Sequence, residues 1–280
     1  MTEQRQSDAG SAGQSGRPGG GSRAVWTSGA AYDAYIGRWS RLLAREFVAW
    51  LALPPRARWL DIGCGSGALT QTILAFADPE AITGMDASAA FVAYARAQTP
   101  DPRSRFVVGD ARAIGEAASA YDAVVSGLML NFVPEPERAA AEMARVTRPD
   151  GTVAAYVWDY AGQMELMRYF WDTASMLDSA AADEGPRFPL AHPEALHTLF
   201  AGAGLREVAT RGIDITMRFR DFDDLWMPFL GGTGPAPHYV ATLDEPRRAA
   251  LREALRSRLP TAADGSIALA ARAWAVQGLR

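Results

Sequence analysis

Between positions 61 and 67 the chain reads Asp-Ile-Gly-Cys-Gly-Ser-Gly, with Gly63, Gly65 and Gly67 at alternate positions and an acid, Asp61, opening the run. Glycines let backbone turn sharply and pass close to a ligand, and a helix beginning just beyond offers unpaired N–H groups. The dinucleotide fingerprint Gly-x-Gly-x-x-Gly seats a pyrophosphate in this way. Here the third glycine comes one residue early. A carboxylate at Asp61 would repel pyrophosphate but hold the ammonium of an amino-acid tail. The spacing therefore points to a nucleoside carrying a zwitterionic tail. Two further acids sit at matching places downstream. Asp86, followed by Ala87, is placed to accept hydrogen bonds from both ribose hydroxyls. Asp110, within Gly109-Asp110-Ala111, is placed to accept from an adenine amino group while the next backbone N–H donates to the ring. Three acids in register at successive strand ends form one joint signal, where a lone glycine run would be weak. Cys64, between two glycines, reads as a small residue contributing backbone contacts rather than as a nucleophile.

Other reactive side chains are sparse. His192 precedes Pro193, His197 falls within a helical run and His238 follows a Gly/Pro turn; each reads as structural or exposed, with His238 the best placed as a base. No catalytic residue is assigned, and no metal site is expected. The C-terminal half is rich in aromatics, namely Trp158, Tyr160, Tyr169, Phe170, Trp171, Phe188, Trp226 and Phe229, which suit a water-excluding wall as well as ordinary core.

The elements that must position these residues are legible from periodicity. Apolar and aromatic residues from Tyr32 to Trp50 recur at helical spacing and stop before Pro54-Pro55. Strands are expected at 58–62, 81–85, 105–108, 121–126 and 152–158, with helices at 68–76, 88–98 and 136–146 between them. Such alternation means a parallel sheet with helices on both faces. Helical patterns at 162–177, 194–200 and 245–259, with long strands at 206–219 and 266–276, complete the chain. The last two strands are expected to form an antiparallel hairpin at the sheet edge. The insertions at about 160–195 and 221–260 are expected to cover the cleft at the strand ends as a lid.

Composition narrows the partners. The 280 residues are 49% hydrophobic and 21% charged, in the ordinary globular range. All 28 basic residues are arginine, the net charge is −4, and no basic run occurs, so nucleic acid is not an expected partner. One cysteine allows no internal disulfide and no stretch reaches membrane-span length, so a cytoplasmic protein, monomer or homodimer, is expected. Residues 1–23, poor in large apolar side chains, read as a disordered tail. Residues 24–53 read as N-terminal helices, and 54–280 as one domain carrying the two insertions.

With Asp61, Asp86 and Asp110 in place, the segment from Arg58 to Trp158 resembles the core of the class I S-adenosylmethionine-dependent methyltransferases. The likeness is to the small-molecule branch that includes the ubiquinone and menaquinone enzymes. It covers somewhat over a third of the chain. It implies an α/β, three-layer Rossmann-like fold whose mostly parallel seven-stranded sheet has an antiparallel last strand, S-adenosyl-L-methionine as cofactor, and in-line methyl transfer to a small-molecule acceptor. By this resemblance Asp61, Gly63, Gly65 and Gly67 contact the methionine and ribose portions, Asp86 the ribose, and Asp110 with Ala111 the adenine. Ser126 and Gly127 lie near the methionine portion. An N-terminal helix closing over the cofactor brings in Tyr32 and Arg38, the latter to the methionine carboxylate. Where many relatives carry a histidine after the fourth strand, this chain has Leu130-Asn131-Phe132. Tyr35, Asn131, Trp158, Trp226 and Phe229 are the substrate candidates. Two other readings stand beside this one: a catalytically silent cofactor-binding scaffold, and a nicotinamide oxidoreductase.

Overall fold

Pro54-Pro55 stops the first long helix, and the apolar run after it opens the sheet. In the computed structural model, which describes residues 33–179, 181, 188–231 and 234–280, a π turn at Asp33–Gly37 leads into α1 (Arg38–Leu51). The tail expected over 1–23 and the candidate Tyr32 lie outside the described residues. Helix α1 buries Trp39, Leu43, Phe47 and Leu51, four residues apart on one stripe, and ends at Ala52 in the left-handed conformation. There follow β1 (Arg58–Ile62), α2 (Ala68–Phe76), β2 (Ala81–Asp86), α3 (Ala89–Gln98), β3 (Ser104–Val108), β4 (Tyr121–Gly127), α4 (Pro136–Val146) and β5 (Thr147–Trp158). Local chemistry sets several of these boundaries. Ser88 Oγ accepts from the Phe91 N–H at the start of α3. Pro136 opens α4, with Glu137 in its first turn and Arg145 in its last, as the helix dipole favours.

The remainder comprises α5 (Glu165–Leu177), α6 (Pro193–Gly202), β6 (Arg206–Phe219), α7 (Phe222–Trp226), a 3₁₀ turn at Met227–Gly231, α8 (Pro235–Thr242), α9 (Glu245–Arg258) and β7 (Ile267–Leu279). Helix α8 was not expected, because Pro235 and Pro237 mask a run of only eight residues. The sheet order is β3-β2-β1-β4-β5-β7-β6. Strands β1 to β5 are mutually parallel, whereas β7 runs antiparallel to both neighbours. The expected closing hairpin is present, with β7 threaded between β5 and β6. Strand β5 starts earlier than its apolar run, because Thr147 already pairs with Tyr121 before a register shift carries the ladder to Thr152.

Each face of the sheet carries its own core. One is filled by α1, α2 and the C-terminal insertions, with Phe47, Tyr156, Phe170, Trp226 and Phe229 among its buried rings. The other is filled by α4 and α6, with Met143, Leu196 and Phe200. The insertions expected as a lid thus build much of a helical layer on the α1 face: α5 packs on α9, and the turn after α7 packs on α8 and on the π turn.

Candidate functional site

The strand order reverses between β1 and β4, and in a sheet of this kind a crevice opens beyond the strand ends at that reversal. A cavity of about 590 Å³ lies there. Its wall is made by the β1 loop, the ends of β2 and β3, the segment after β4, the end of β5, and Ile36 and Ser40 from the N-terminal helical segment.

The β1 loop is held from below rather than left open. Gly63 and Cys64 both donate their N–H to the Met85 carbonyl, at 2.7 and 2.9 Å, and Gly65 N–H donates to Asp86 Oδ2 at 3.0 Å. Three amides that a pyrophosphate loop would present to its ligand are therefore used internally. This argues against a dinucleotide. Gly63 and Gly65 both have positive φ, but for different neighbours. A Cβ at Gly63 would lie 2.3 Å from Met129 Cγ, whereas a Cβ at Gly65 would meet only the Gly63 carbonyl oxygen at 4.0 Å. Gly63 is needed by the protein; Gly65 leaves space for a ligand.

Asp61 is wholly buried at the cavity wall. Thr70, from the first turn of α2, donates its hydroxyl to Asp61 Oδ2 at 2.7 Å, while Oδ1 has no partner. Burial outweighs that hydrogen bond and pushes the carboxyl up to about 7, with the Asp86 charge adding to the rise. An oxygen left without a donor at the wall of a cavity awaits a cation or a donor from a ligand. Asp86 is raised by burial too, while the N–H groups of Ser88 and Gly65 hold its two oxygens in place. Each oxygen keeps a second acceptor site for a hydroxyl. The Cys64 thiol is pushed up by burial beside these acids, which leaves it un-ionised and unreactive. Asp110 is clasped by Arg112, with Nε at 3.1 Å and Nη2 at 2.7 Å, and Arg112 Nη1 reaches Glu135 at 3.0 Å.

Of the residues singled out from sequence, Asp61, Gly63, Cys64, Gly65, Asp86, Ala87, Gly109, Asp110, Ala111, Gly127 and Trp158 all line this cavity. Others lie elsewhere. Gly67 caps the start of α2 with φ of 92° and is not on the wall. Ser126 faces away, because residues alternate along β4; its buried hydroxyl has no partner. Arg38 is spent on Asp224, at 2.9 Å, and lies over the Trp39 and Phe219 rings. Tyr35 is buried with its hydroxyl on Met167 Sδ and its ring edge-on to Phe229. Asn131 sits in the 3₁₀ turn Leu130–Phe132, outside the wall, with both amide atoms buried and unpartnered. Trp226 and Phe229 are core: Phe229 is stacked on Phe170 at 4.7 Å and Trp226 on Phe222 at 6.2 Å. Their apolar, helical spacing serves packing, since the layer built by the insertions needs its own core. His192, His197 and His238 are all exposed and none lines the cavity.

Several wall residues were not read from sequence. Tyr156 shares a face of β5 with Trp158, so strand alternation would have found it. Phe132, Val133 and Pro134 follow β4, and Met129 and Arg112 carry no local signal; Thr70, which holds Asp61 from behind the wall, carries none either. No group of three potential metal ligands occurs among the described residues. No helix among them is long and apolar enough to cross a membrane.

Comparison with known proteins agrees with this geometry. Residues 60–155 match a family model described as a methyltransferase domain. The chain is 30% identical over 252 residues to a trans-aconitate 2-methyltransferase of Streptomyces avermitilis, an alignment covering 83% of this chain and 91% of that one. It is 34% identical over 115 residues to a demethylmenaquinone methyltransferase of Renibacterium salmoninarum, covering 41% and 45%. With several curated relatives the match spans only about half of their length. Among solved structures, a phosphoethanolamine N-methyltransferase 2 of Haemonchus contortus in complex with S-adenosyl-L-methionine shares the fold. It superposes with a TM-score of 0.57 at 13% identity, covering 92% of this chain and 58% of that one. A relative aligned along 91% of its length and a matched methyltransferase domain that contains the three strand-end acids show that the chain belongs to the class I S-adenosylmethionine-dependent methyltransferases, in their small-molecule branch.

Proposed function

We propose that this protein transfers a methyl group from S-adenosyl-L-methionine to a small-molecule acceptor. The observation that carries the reading is Asp61 Oδ1, buried, without a partner, and on the wall of a cavity whose neighbouring strand ends supply Asp86 and Asp110. These residues fit the cofactor. Asp61 would hold the ammonium of the methionine portion, Asp86 the ribose hydroxyls, and Asp110 with the Ala111 N–H the adenine. When bound, S-adenosylmethionine supplies a methyl carbon already made electrophilic by its positively charged sulfur, which keeps the bonding electrons as the methyl leaves. The protein's own part is to orient the two reactants and exclude water. Ile36, Phe132, Tyr156, Trp158 and Tyr160 provide the water-excluding wall. With every histidine exposed, an acceptor proton passes to solvent or to another acceptor group rather than to imidazole. The reading carries with it a cytoplasmic location, supported by a single cysteine buried in the cofactor loop.

Titration calorimetry with S-adenosylhomocysteine tests the cofactor assignment and its pH dependence. The free protein holds a proton on Asp61 up to about pH 7, and an ammonium partner favours the ionised form, so binding expels that proton. Affinity should rise about tenfold between roughly pH 6 and 8 and then level off. Binding of NAD in preference to S-adenosylhomocysteine would refute the reading.

A further inference from the structure

A threonine inside a helix has a ready partner for its hydroxyl in the carbonyl one turn back, and Thr72, Thr173 and Thr198 each take it, at 2.7, 2.6 and 2.8 Å. Thr70 does not. From the first turn of α2 it donates at 2.7 Å to Asp61 Oδ2, and both residues are fully buried. Gly67, left-handed at φ 92°, turns the chain so that the start of α2 meets the end of β1. Asp61 lines the cavity and Thr70 does not, so the hydroxyl reaches the carboxyl from behind the wall. A bond to one oxygen fixes the rotation of the carboxyl group. The oxygen it leaves over is Oδ1, buried and without a partner.

The same contact acts on charge. Both hydrogen bonds that favour the ionised form of Asp61 come from Thr70, one from the hydroxyl and one from the backbone N–H. A side chain of the same shape without the hydroxyl would keep only the second. The other titratable groups around Asp61 are Asp86 at the end of β2, Cys64 in the loop and Tyr156 at the end of β5. Helix α2 carries none, and on α1 Arg41 bonds to Gln71 and Arg38 to Asp224.

Resting on the methyl-transfer reading, we propose that Thr70 is a positioning residue for the cofactor: it ties back one oxygen of Asp61 and turns the other to the ammonium of the amino-acid tail. Thr70 touches no ligand itself. Its effect is therefore confined to ligands that carry the tail.

Calorimetry with two ligands is the test. S-adenosylhomocysteine has the tail, whereas 5′-methylthioadenosine has the same nucleoside and no ammonium. Asp86 acts on both alike through the ribose, so the difference between them isolates Asp61. Thr70→Val keeps the shape and removes the hydroxyl. It should weaken S-adenosylhomocysteine about tenfold or more at pH 7 and leave methylthioadenosine within about twofold. Losing a donor to the charged form also moves the ionisation of Asp61 upward by about one pH unit. The rise in S-adenosylhomocysteine affinity, which levels off by about pH 8 in the wild type, should still be climbing at about pH 8.5 in this variant. Thr70→Ser keeps the hydroxyl and should stay within about threefold of wild-type affinity, with the wild-type pH profile. Equal weakening of both ligands, or loss of both, would mean that the hydroxyl serves the fold alone. Unchanged S-adenosylhomocysteine affinity in Thr70→Val, an unmoved pH profile, or a serine variant no better than valine would mean that the donor is immaterial. Each of these overturns the proposal and leaves the methyl-transfer reading intact, whereas failure of the wild type to bind S-adenosylhomocysteine overturns both.

Discussion

Asp61 is held in a way that favours binding at the expense of the free protein, and Asp61→Asn measures that conflict directly. In the unfolded chain the carboxyl loses its proton near 3.8, whereas in the fold burial keeps it protonated up to about 7. A folded value above the unfolded one means that stability from this group is fully present below about pH 4 and is lost as pH rises towards 7. The whole loss is about 4 kcal/mol, from roughly three pH units at 1.36 kcal/mol each. Asparagine has the same shape and can still accept the Thr70 hydroxyl, but does not titrate. Its own buried, unpartnered amide costs about 1–3 kcal/mol, the same at every pH. The stability difference between variant and wild type should therefore shift in favour of asparagine by about 2.5 kcal/mol between roughly pH 5 and pH 8.5. Urea unfolding of both proteins at the two pH values reads this shift, provided the m-values agree. Saturating S-adenosylhomocysteine should reverse the order at the higher pH, because only the wild type gains an ion pair. A difference independent of pH to within about 0.5 kcal/mol would mean that the carboxyl is solvated or paired in the free protein, and would remove the basis for assigning it the ammonium.

Four further substitutions separate site from scaffold. Asp86→Ala removes a charged acceptor and should weaken S-adenosylhomocysteine roughly ten- to hundredfold by calorimetry while the circular dichroism spectrum is unchanged. Gly65→Ala places a methyl group in open space and should cost binding far more than melting temperature. Gly63→Ala drives a methyl against Met129 and should lower melting temperature first. If the two alanine variants behave alike, the loop is not a cradle with one open side. Phe229→Ala should lose about 3–5 kcal/mol of stability, since the ring is fully buried against Phe170; a selective loss of turnover in a variant of normal stability would return it to the acceptor site.

The alternating half of the chain was readable because local signals agree there. The bounds of β1, α2, α4 and β6 follow from apolar periodicity, from Pro54-Pro55 and Pro136, and from the glycine loop. The strand-end acids were readable for the same reason, since each closes a run whose length fixes where it emerges. The pairing of Arg38 with Asp224 was not legible, because the two are 186 positions apart and nothing near Arg38 announces it. Trp226 and Phe229 pack in the core and off the cavity wall, a distinction sequence does not make because an aromatic stripe looks the same whether it meets substrate or another helix. Thr70 escaped notice because its role depends on Asp61 lying beneath α2, a tertiary fact. The pairing of Thr147 with Tyr121 escaped because four residues bulge out before the ladder resumes.

The position of β7 governs how this protein can be made. Strand β5 ends at Trp158, yet the strand that closes its free edge begins at Ile267 and cannot pair before it is synthesised. At about 5–20 residues per second, the nascent chain exposes that edge for roughly 5–20 s. During this interval the cofactor loops already exist, but the wall carrying Tyr156 and Trp158 presents unpaired N–H and C=O groups along an apolar strand, the kind of template on which chains aggregate. Expression yield should therefore respond to translation rate and to chaperones that shelter open sheet edges. Substitutions in β7 should lower soluble yield more than equally buried substitutions in α4, even where the finished proteins are equally stable.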